Sequence, residues 1–382
     1  MSGDVERSVT VVGHAFVPTG RGEDARAVFR ALRAAGTGAS VCDVPCGPTL
    51  DDRDIEQELR GRLVPRPGPS FNIFVVNGAD VEWVLRRLEC AGPPAGAVNV
   101  ISPQWELSRY PDQWARRLDL FDEVWAPTRF VFESLRQTVK ARVVHLPYPV
   151  DFKLRYTLGR RYFGLPEDAF IFMFLFDFGS FVQRKNPEAV IRAFRIACQK
   201  AWRANLHLVI KMSGHHAGAG VQPLLAGLIE EIRGGPNAER ITVISRVLTD
   251  NETKNLIRCA DCFVSLHRAE GLGRGMAEAM LLGKPVIATA YSGNLDFMDK
   301  TNSCLVNYRL VPVPQGSYLY PNGQVWADPD IEQAADYMVN LYRDPDKCLQ
   351  FGRLGQQRIK ACYSHIAVGL RYRERIKALC RP

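Results

Sequence analysis

Short apolar runs alternate with amphipathic, helix-forming stretches along most of the chain, and this alternation limits the available folds more than any other feature. SVTVVGHAF (8–16) reads as a strand, ARAVFRALRAAG (25–36) as an amphipathic helix stopped at Gly36, and ASVCDV (39–44) as a second strand. FNIFVVNG (71–78), AVNVISPQWE (97–106), DEVWAPT (122–128) and RVVHLPYPVD (142–151) follow as strands, with VEWVLRRLEC and RFVFESLRQT as helices. Strands joined through helices by short connections pair in parallel, with helices on the faces of the sheet. Residues 1–150 are therefore expected to form one doubly wound α/β unit.

PYPVDFKLRYTLGRRYFGLPEDA (147–169) breaks the pattern and reads as a linker. The alternation then restarts. FIFMFLF (170–176), bounded by Asp168 and Asp177, is far shorter than the ~20 residues of a membrane helix, so it reads as a fully buried parallel strand. LHLVIKM (206–212), RITVIS (240–245), CFVSL (262–266) and PVIATA (285–290) continue as strands between helices. Region 301–327 reads as irregular, and helices over 329–345 and 346–380 close the chain. The expected second unit is 151–364, with the helix at about 365–382 packing back on the first. Two such units place a ligand cleft between the carboxyl ends of two sheets.

The formal net charge of +8 is scattered, with no run of five or more Lys/Arg and no zinc-finger or RNP-like motif. A phosphorylated small molecule is a better match than nucleic acid. Ten cysteines are spread out and the start MSGDVERSVTVVG has no signal-peptide pattern, so reduced thiols in the cytoplasm are expected. Cys259 and Cys262 form a CxxC without a second pair, and burial is the expected role.

HRAEGLGRGMAEAMLLGKPV (267–286) places Glu270 and Glu278 around Gly271, Gly273 and Gly275, where CFVSL turns into a helix. The unpaired N–H groups and positive dipole end of a helix start suit a phosphate, and glycines let backbone approach it. The carboxylates would then accept hydrogen bonds from sugar hydroxyls on either side, as in a nucleoside-diphosphate sugar. A sharp turn with solvated acids explains the same spacing. An NAD site does not, because its glycines follow the first strand of a domain.

SLHRAEGLGRGMAEAMLLGKPVIAT (265–289) followed by YSGNLDFM (291–298) resembles the donor motif of retaining GT-B glycosyltransferases, family 4. The resemblance covers about 165–345 well and the N-terminal half more loosely. It implies the GT-B fold, two Rossmann-like units facing across a cleft. It also implies that Glu278 holds the donor ribose, that Glu270 faces the transferred sugar, and that Gly271, Leu272 and Gly273 meet sugar and phosphates through their N–H groups. Lys185, in FDFGSFVQRKNP, matches the lysine that neutralises the diphosphate. The arginine usual at the position of Ser180 is missing, and Arg184, Lys211 or Arg274 could replace it. Gly20 and Gly22, in PTGRGED, fall where the family has a glycine loop, and a plain turn explains them equally. The family's histidine after the fourth strand is replaced by SPQWELSRY, which makes Glu106 the candidate there. Arg246 and Val247 end a strand where the family holds the base, and His267 is a minor candidate.

His215 and His216 read as a surface loop without a metal partner. Asp328-Pro329-Asp330 and Asp344-Pro345-Asp346 read as helix starts with Pro at the first helical position, not as D-x-D metal sites. The implied activity is transfer of a hexose-type sugar from a nucleoside-diphosphate sugar, with retention, no cofactor and no essential metal. A polysaccharide or lipid-linked glycan precursor is the first expected acceptor, and peripheral membrane association would go with it; a small natural product such as an antibiotic is the second. A GT-B sugar-nucleotide epimerase and an NAD-type Rossmann enzyme are the rivals.

Overall fold

A computed structural model of the chain describes residues 8–17, 19–46, 52–214 and 221–380. His215 and His216 lie outside the described residues. The chain divides into two compact units, Met1–Asp151 with Lys360–Pro382, and Phe152–Ile359.

In the first unit the elements run β1 (Val9–Gly13), α1 (Gly20–Ala34), β2 (Ala39–Asp43), α2 (Arg53–Leu59), β3 (Phe71–Val75) and α3 (Val81–Arg87). They continue as β4 (Val98–Ile101), α4 (Asp112–Leu118), β5 (Glu123–Ala126), α5 (Arg129–Leu135) and β6 (Arg142–His145). The six strands are parallel in the order β2-β1-β3-β4-β5-β6. Every residue of β1 and β3 is buried, as expected for strands covered on both faces.

The second unit has a long central strand, β7 (Phe170–Asp177), followed by α6 (Val182–Lys185), α7 (Pro187–Lys200), β8 (Leu206–Ser213), α8 (Val221–Gly234) and β9 (Ile241–Ile244). Next come α9 (Asp250–Cys259), β10 (Cys262–Ser265), α10 (Arg274–Leu281), β11 (Val286–Thr289) and β12 (Cys304–Val306). The parallel order is β12-β11-β10-β7-β8-β9. Phe172, Phe174 and Phe176 of β7 pack with Phe194, Leu208, Val264 and Met338 in one core. Each buried Phe side chain contributes roughly 1.5–3 kcal/mol of transfer free energy. Successive strands proceed from β7 toward β9, and the chain then returns to the other side of β7 with β10. The loops leaving β7 and β10 thus diverge at the point where strand order reverses, the usual ligand crevice of such a sheet.

The region read as irregular holds β12 and an antiparallel hairpin, β13 (Tyr308–Pro312) with β14 (Val325–Pro329). Most of β13 faces solvent, so no alternating apolar pattern marks it. Three helices close the chain, the expected span 346–380 holding two of them: α11 (Ile331–Arg343), α12 (Pro345–Tyr363) and α13 (His365–Leu379). Pro345 does open α12, but Pro329 belongs to β14 and Asp330 alone caps α11, accepting from the Gln333 N–H at 3.0 Å. Asp328 instead pairs with Arg268 at 2.6 Å. The helix expected from residue 25 begins at Gly20, so Gly20 and Gly22 form its first turn rather than a loop. A methyl group at Gly22 would overlap the carbonyl oxygens of Val17 and His14, which explains a glycine in a helix start.

Within the first unit, α13 packs on α1, so close that a methyl at Gly369 would overlap the Ala31 carbonyl. The Tyr372 ring stacks on Trp125 at 5.2 Å, and Arg375 forks onto the fully buried Glu123. Among the described residues, no helix is long and apolar enough to cross a membrane.

Candidate active site

The segment after β7 is held in an unusual shape. The Asp177 carboxylate accepts from the Gly179 N–H at 2.7 Å, starting a single 3-10 turn over Phe178–Ser180. The one-turn α6 follows, flanked by Phe181 (φ 62°) and Asn186 (φ 58°). Asn tolerates the left-handed region, but a phenylalanine there is strained by about 1–3 kcal/mol. Tertiary contacts hold both: the Phe181 ring meets Tyr318 edge-on at 4.7 Å, and the Asn186 side chain donates to the Leu266 carbonyl at 2.9 Å. Arg268 N–H also donates to Arg184 O at 2.8 Å. These bonds fasten the β7 segment to the segment that leaves β10.

Lys185 and Arg184 thereby converge on Glu270. Lys185 Nζ hydrogen-bonds Oε1, and Arg184 Nη1 lies 3.2 Å from Oε2. Arg184 is almost fully buried and also donates to the carbonyls of Ala269 (2.8 Å) and Ser180 (3.2 Å), while Lys185 keeps partial exposure. Burial pushes the Glu270 carboxyl up, but the cations of Lys185 and Arg184 outweigh it and bring it down to about 2. Two cations around one carboxylate leave the cluster one positive charge in excess, suited to an anion.

The Glu270 backbone is fixed as well. Its N–H donates to Ser292 Oγ at 2.8 Å and its carbonyl accepts from the Gly293 N–H at 2.9 Å. A methyl at Gly293 would overlap the Gly271 carbonyl, so this turn and the glutamate loop touch backbone to backbone. Leu272 is buried, and Gly273 (φ 86°) is the N-cap of α10 without a side-chain cap. That left-handed step favours glycine and leads straight from the Glu270 loop into α10.

Glu278, the fifth residue of α10, is buried with Lys254 Nζ 2.5 Å from Oε1. Lys211 is buried at the end of β8 and donates to Met212 O at 2.6 Å; burial lowers its pKa to about 8, against an opposing pull from Asp177. Arg246 is tied to Glu252 at 2.9 Å beside Tyr162, and Val247 is exposed. His267 is fully buried between the Ser265 hydroxyl (3.0 Å) and the Tyr291 carbonyl (3.1 Å), and burial lowers its pKa; it is a packed core residue. Glu106, Gly20 and Gly22 belong to the first unit. The structure thus brings Lys185, Arg184, Glu270 and Gly271–Gly273 into one cluster. Sequence reasoning missed Lys254, Ser292, Asn186 and Tyr318, whose contacts are 22 or more residues away in the chain.

Residues 160–358 match the family glycosyl transferases group 1. No curated protein matches the chain. Among solved structures, the chain is similar to a sucrose-phosphate synthase from Thermosynechococcus elongatus (17% identity, 98% of this chain and 99% of that one, TM-score 0.68). It is also similar to HepE of Anabaena in complex with UDP-glucose (13%, 97% and 99%, TM-score 0.67). A third is a glycosyltransferase from Rickettsia africae ESF-5 (15%, 98% and 99%, TM-score 0.65). The shared architecture is GT-B, with two parallel six-stranded sheets.

Proposed function

The chain belongs to the glycosyl transferases group 1 family, and from that premise we propose that it moves a hexose-type sugar from a nucleoside-diphosphate sugar to an acceptor hydroxyl, with retention at the anomeric carbon. The observation that carries this reading is the Lys185–Glu270–Arg184 cluster set against the glycine turn that opens α10. Lys185 is the partly exposed cation of the two and meets the diphosphate; Arg184 is the buried one and keeps Glu270 ionised toward the sugar hydroxyls. The N–H groups of the Gly271–Gly273 turn and the dipole of α10 add to Lys185 as negative charge builds on the leaving diphosphate. Glu278 takes the ribose hydroxyls. The leaving phosphate accepts the acceptor proton on the face it departs from. Retention rests on the resemblance to family 4, and UDP-glucose bound to a similar structure supports a nucleotide-sugar donor. The acceptor in this reading is a polysaccharide or lipid-linked glycan precursor.

The test is a panel of nucleotide sugars assayed for free nucleoside diphosphate, with and without EDTA. Release should survive EDTA and fall at least about a hundredfold in Lys185→Ala, the loss expected for a preorganised charge stabiliser. Glu278→Ala should lose donor binding while circular dichroism shows an intact fold. Absence of binding to every nucleotide sugar would sink the proposal.

A further inference from the structure

Several ion pairs among the described residues are buried, and at Glu278 a lysine and a carboxylate are both almost fully enclosed, whereas the Lys185 of the Glu270 pair keeps partial exposure. Arg375 forks onto both oxygens of Glu123, and Arg26 holds Glu23 through Nε and Nη2. Both are two-point guanidinium grips in the first unit, the first between α13 and β5 and the second within α1. At Glu278 the partner is an ammonium, a point charge on a flexible stem. Lys254 is the fifth residue of α9, a helix started by a Thr249–Glu252 capping box. Its Nζ lies 2.5 Å from Glu278 Oε1, 3.4 Å from Asp250 and 5.1 Å from the centre of the Phe152 ring. The side chains of Lys254 and Glu278 are each only 5% exposed, whereas Asp250 is 28% exposed.

That burial poses a physical problem. A carboxylate that receives ribose hydroxyls must be ionised and in place before the nucleotide arrives. At 5% exposure water does not solvate it, and an unpartnered buried carboxylate takes up a proton or turns away. Lys254 removes that cost, and Asp250, one turn earlier on the same helix, holds the ammonium from its solvent side.

We propose that Lys254 is a positioning residue of the donor site: it keeps the Glu278 carboxylate charged and oriented while the site is empty, and so sets how strongly the protein distinguishes ribose from deoxyribose. This rests on the reading of Glu278 as the ribose ligand. Lys254 touches no reacting atom and acts through Glu278.

The readout is the ratio of dissociation constants for a 2′-deoxynucleoside diphosphate over its ribose counterpart, measured by calorimetry with UDP, ADP and GDP as probes. A hydroxyl bonded to a charged group gives the native protein a ratio of about tenfold or more. Glu278→Gln should bring the ratio toward one. Lys254→Met should do the same, and the double variant should add little to either. Asp250→Asn, at the solvent edge of the group, should lower the ratio in part and serves as the reading if Lys254→Met does not fold. Arg375→Met, which breaks the buried pair in the first unit, should lower stability and leave the ratio unchanged. If Glu278→Gln collapses the ratio while folded Lys254→Met or Asp250→Asn leaves it intact, or if either binds nucleotide more tightly, the inference is overturned and the ribose reading stands. If Glu278→Gln leaves the ratio untouched, the ribose reading itself fails and takes this inference with it.

Discussion

Arg184 and Lys211 were both expected as possible substitutes for the arginine missing at Ser180, and their surroundings separate them. Arg184 is turned toward Glu270 and the Ala269 carbonyl, so it holds the glutamate in place. Lys211 is an ammonium enclosed at the end of β8, where burial lowers its pKa from 10.5 to about 8 and the charge of Asp177 only partly compensates. A lysine that is easier to deprotonate in the folded state than in the unfolded one weakens folding below pH 8. That penalty is relieved as pH rises from about 8 to 10.5, because over this range the unfolded chain binds the extra proton. Lys211→Met should therefore stabilise the protein at pH 7 by roughly 1–3 kcal/mol, allowing for the lost bond to Met212 O. The gain should vanish near pH 10.5 in urea-midpoint measurements across that range. An unchanged or lowered midpoint at pH 7 would show that the ammonium is not held at a cost.

At the scale of elements, the site is built from short segments that sequence periodicity does not register. The EGLG turn and the helix AEAMLL were legible because glycines before an apolar helical run mark a strand-to-helix step. The one-turn α6 was not, since nothing local specifies a phenylalanine at φ 62°; Tyr318, from a connection far along the chain, holds it there. The start of α1 was missed for a related reason. Glycine is a poor helix former, so GRG reads as loop, yet Gly22 is the residue that lets the helix rest on the His14 and Val17 carbonyls. Backbone proximity of the same kind at Gly293 yields a functional prediction. Gly293→Ala would push the Ser292 turn off the Gly271 carbonyl and break the two bonds that fix the Glu270 backbone. Nucleoside-diphosphate binding should weaken by about tenfold or more, with the circular dichroism spectrum retained; unaltered affinity would show that this turn does not set the glutamate.

For the whole molecule, two compact units with separate cores predict separable responses. Gly369→Ala forces α13 away from α1 and should destabilise the first unit. Saturating nucleoside diphosphate should raise the unfolding temperature of the unit carrying Lys185, Glu270 and Glu278, by the mass-action term of a ligand that binds only folded protein. Calorimetry should resolve the two effects in different transitions; a single transition moved by both would contradict separate units. The amino-acid sequence by itself determined the α/β class, the parallel sheets and the glycine turn between two glutamates, because strand and helix periods and turn chemistry are local properties of a chain. Only the tertiary structure decided that Arg184 lies behind Glu270, that Lys254 meets Glu278, and that Gly22, Gly293 and Gly369 are needed where backbones touch. Those outcomes depend on which distant side chains share the low-dielectric interior, where an unpaired charge or an overlapping methyl costs several kcal/mol, and chain spacing carries no record of that proximity.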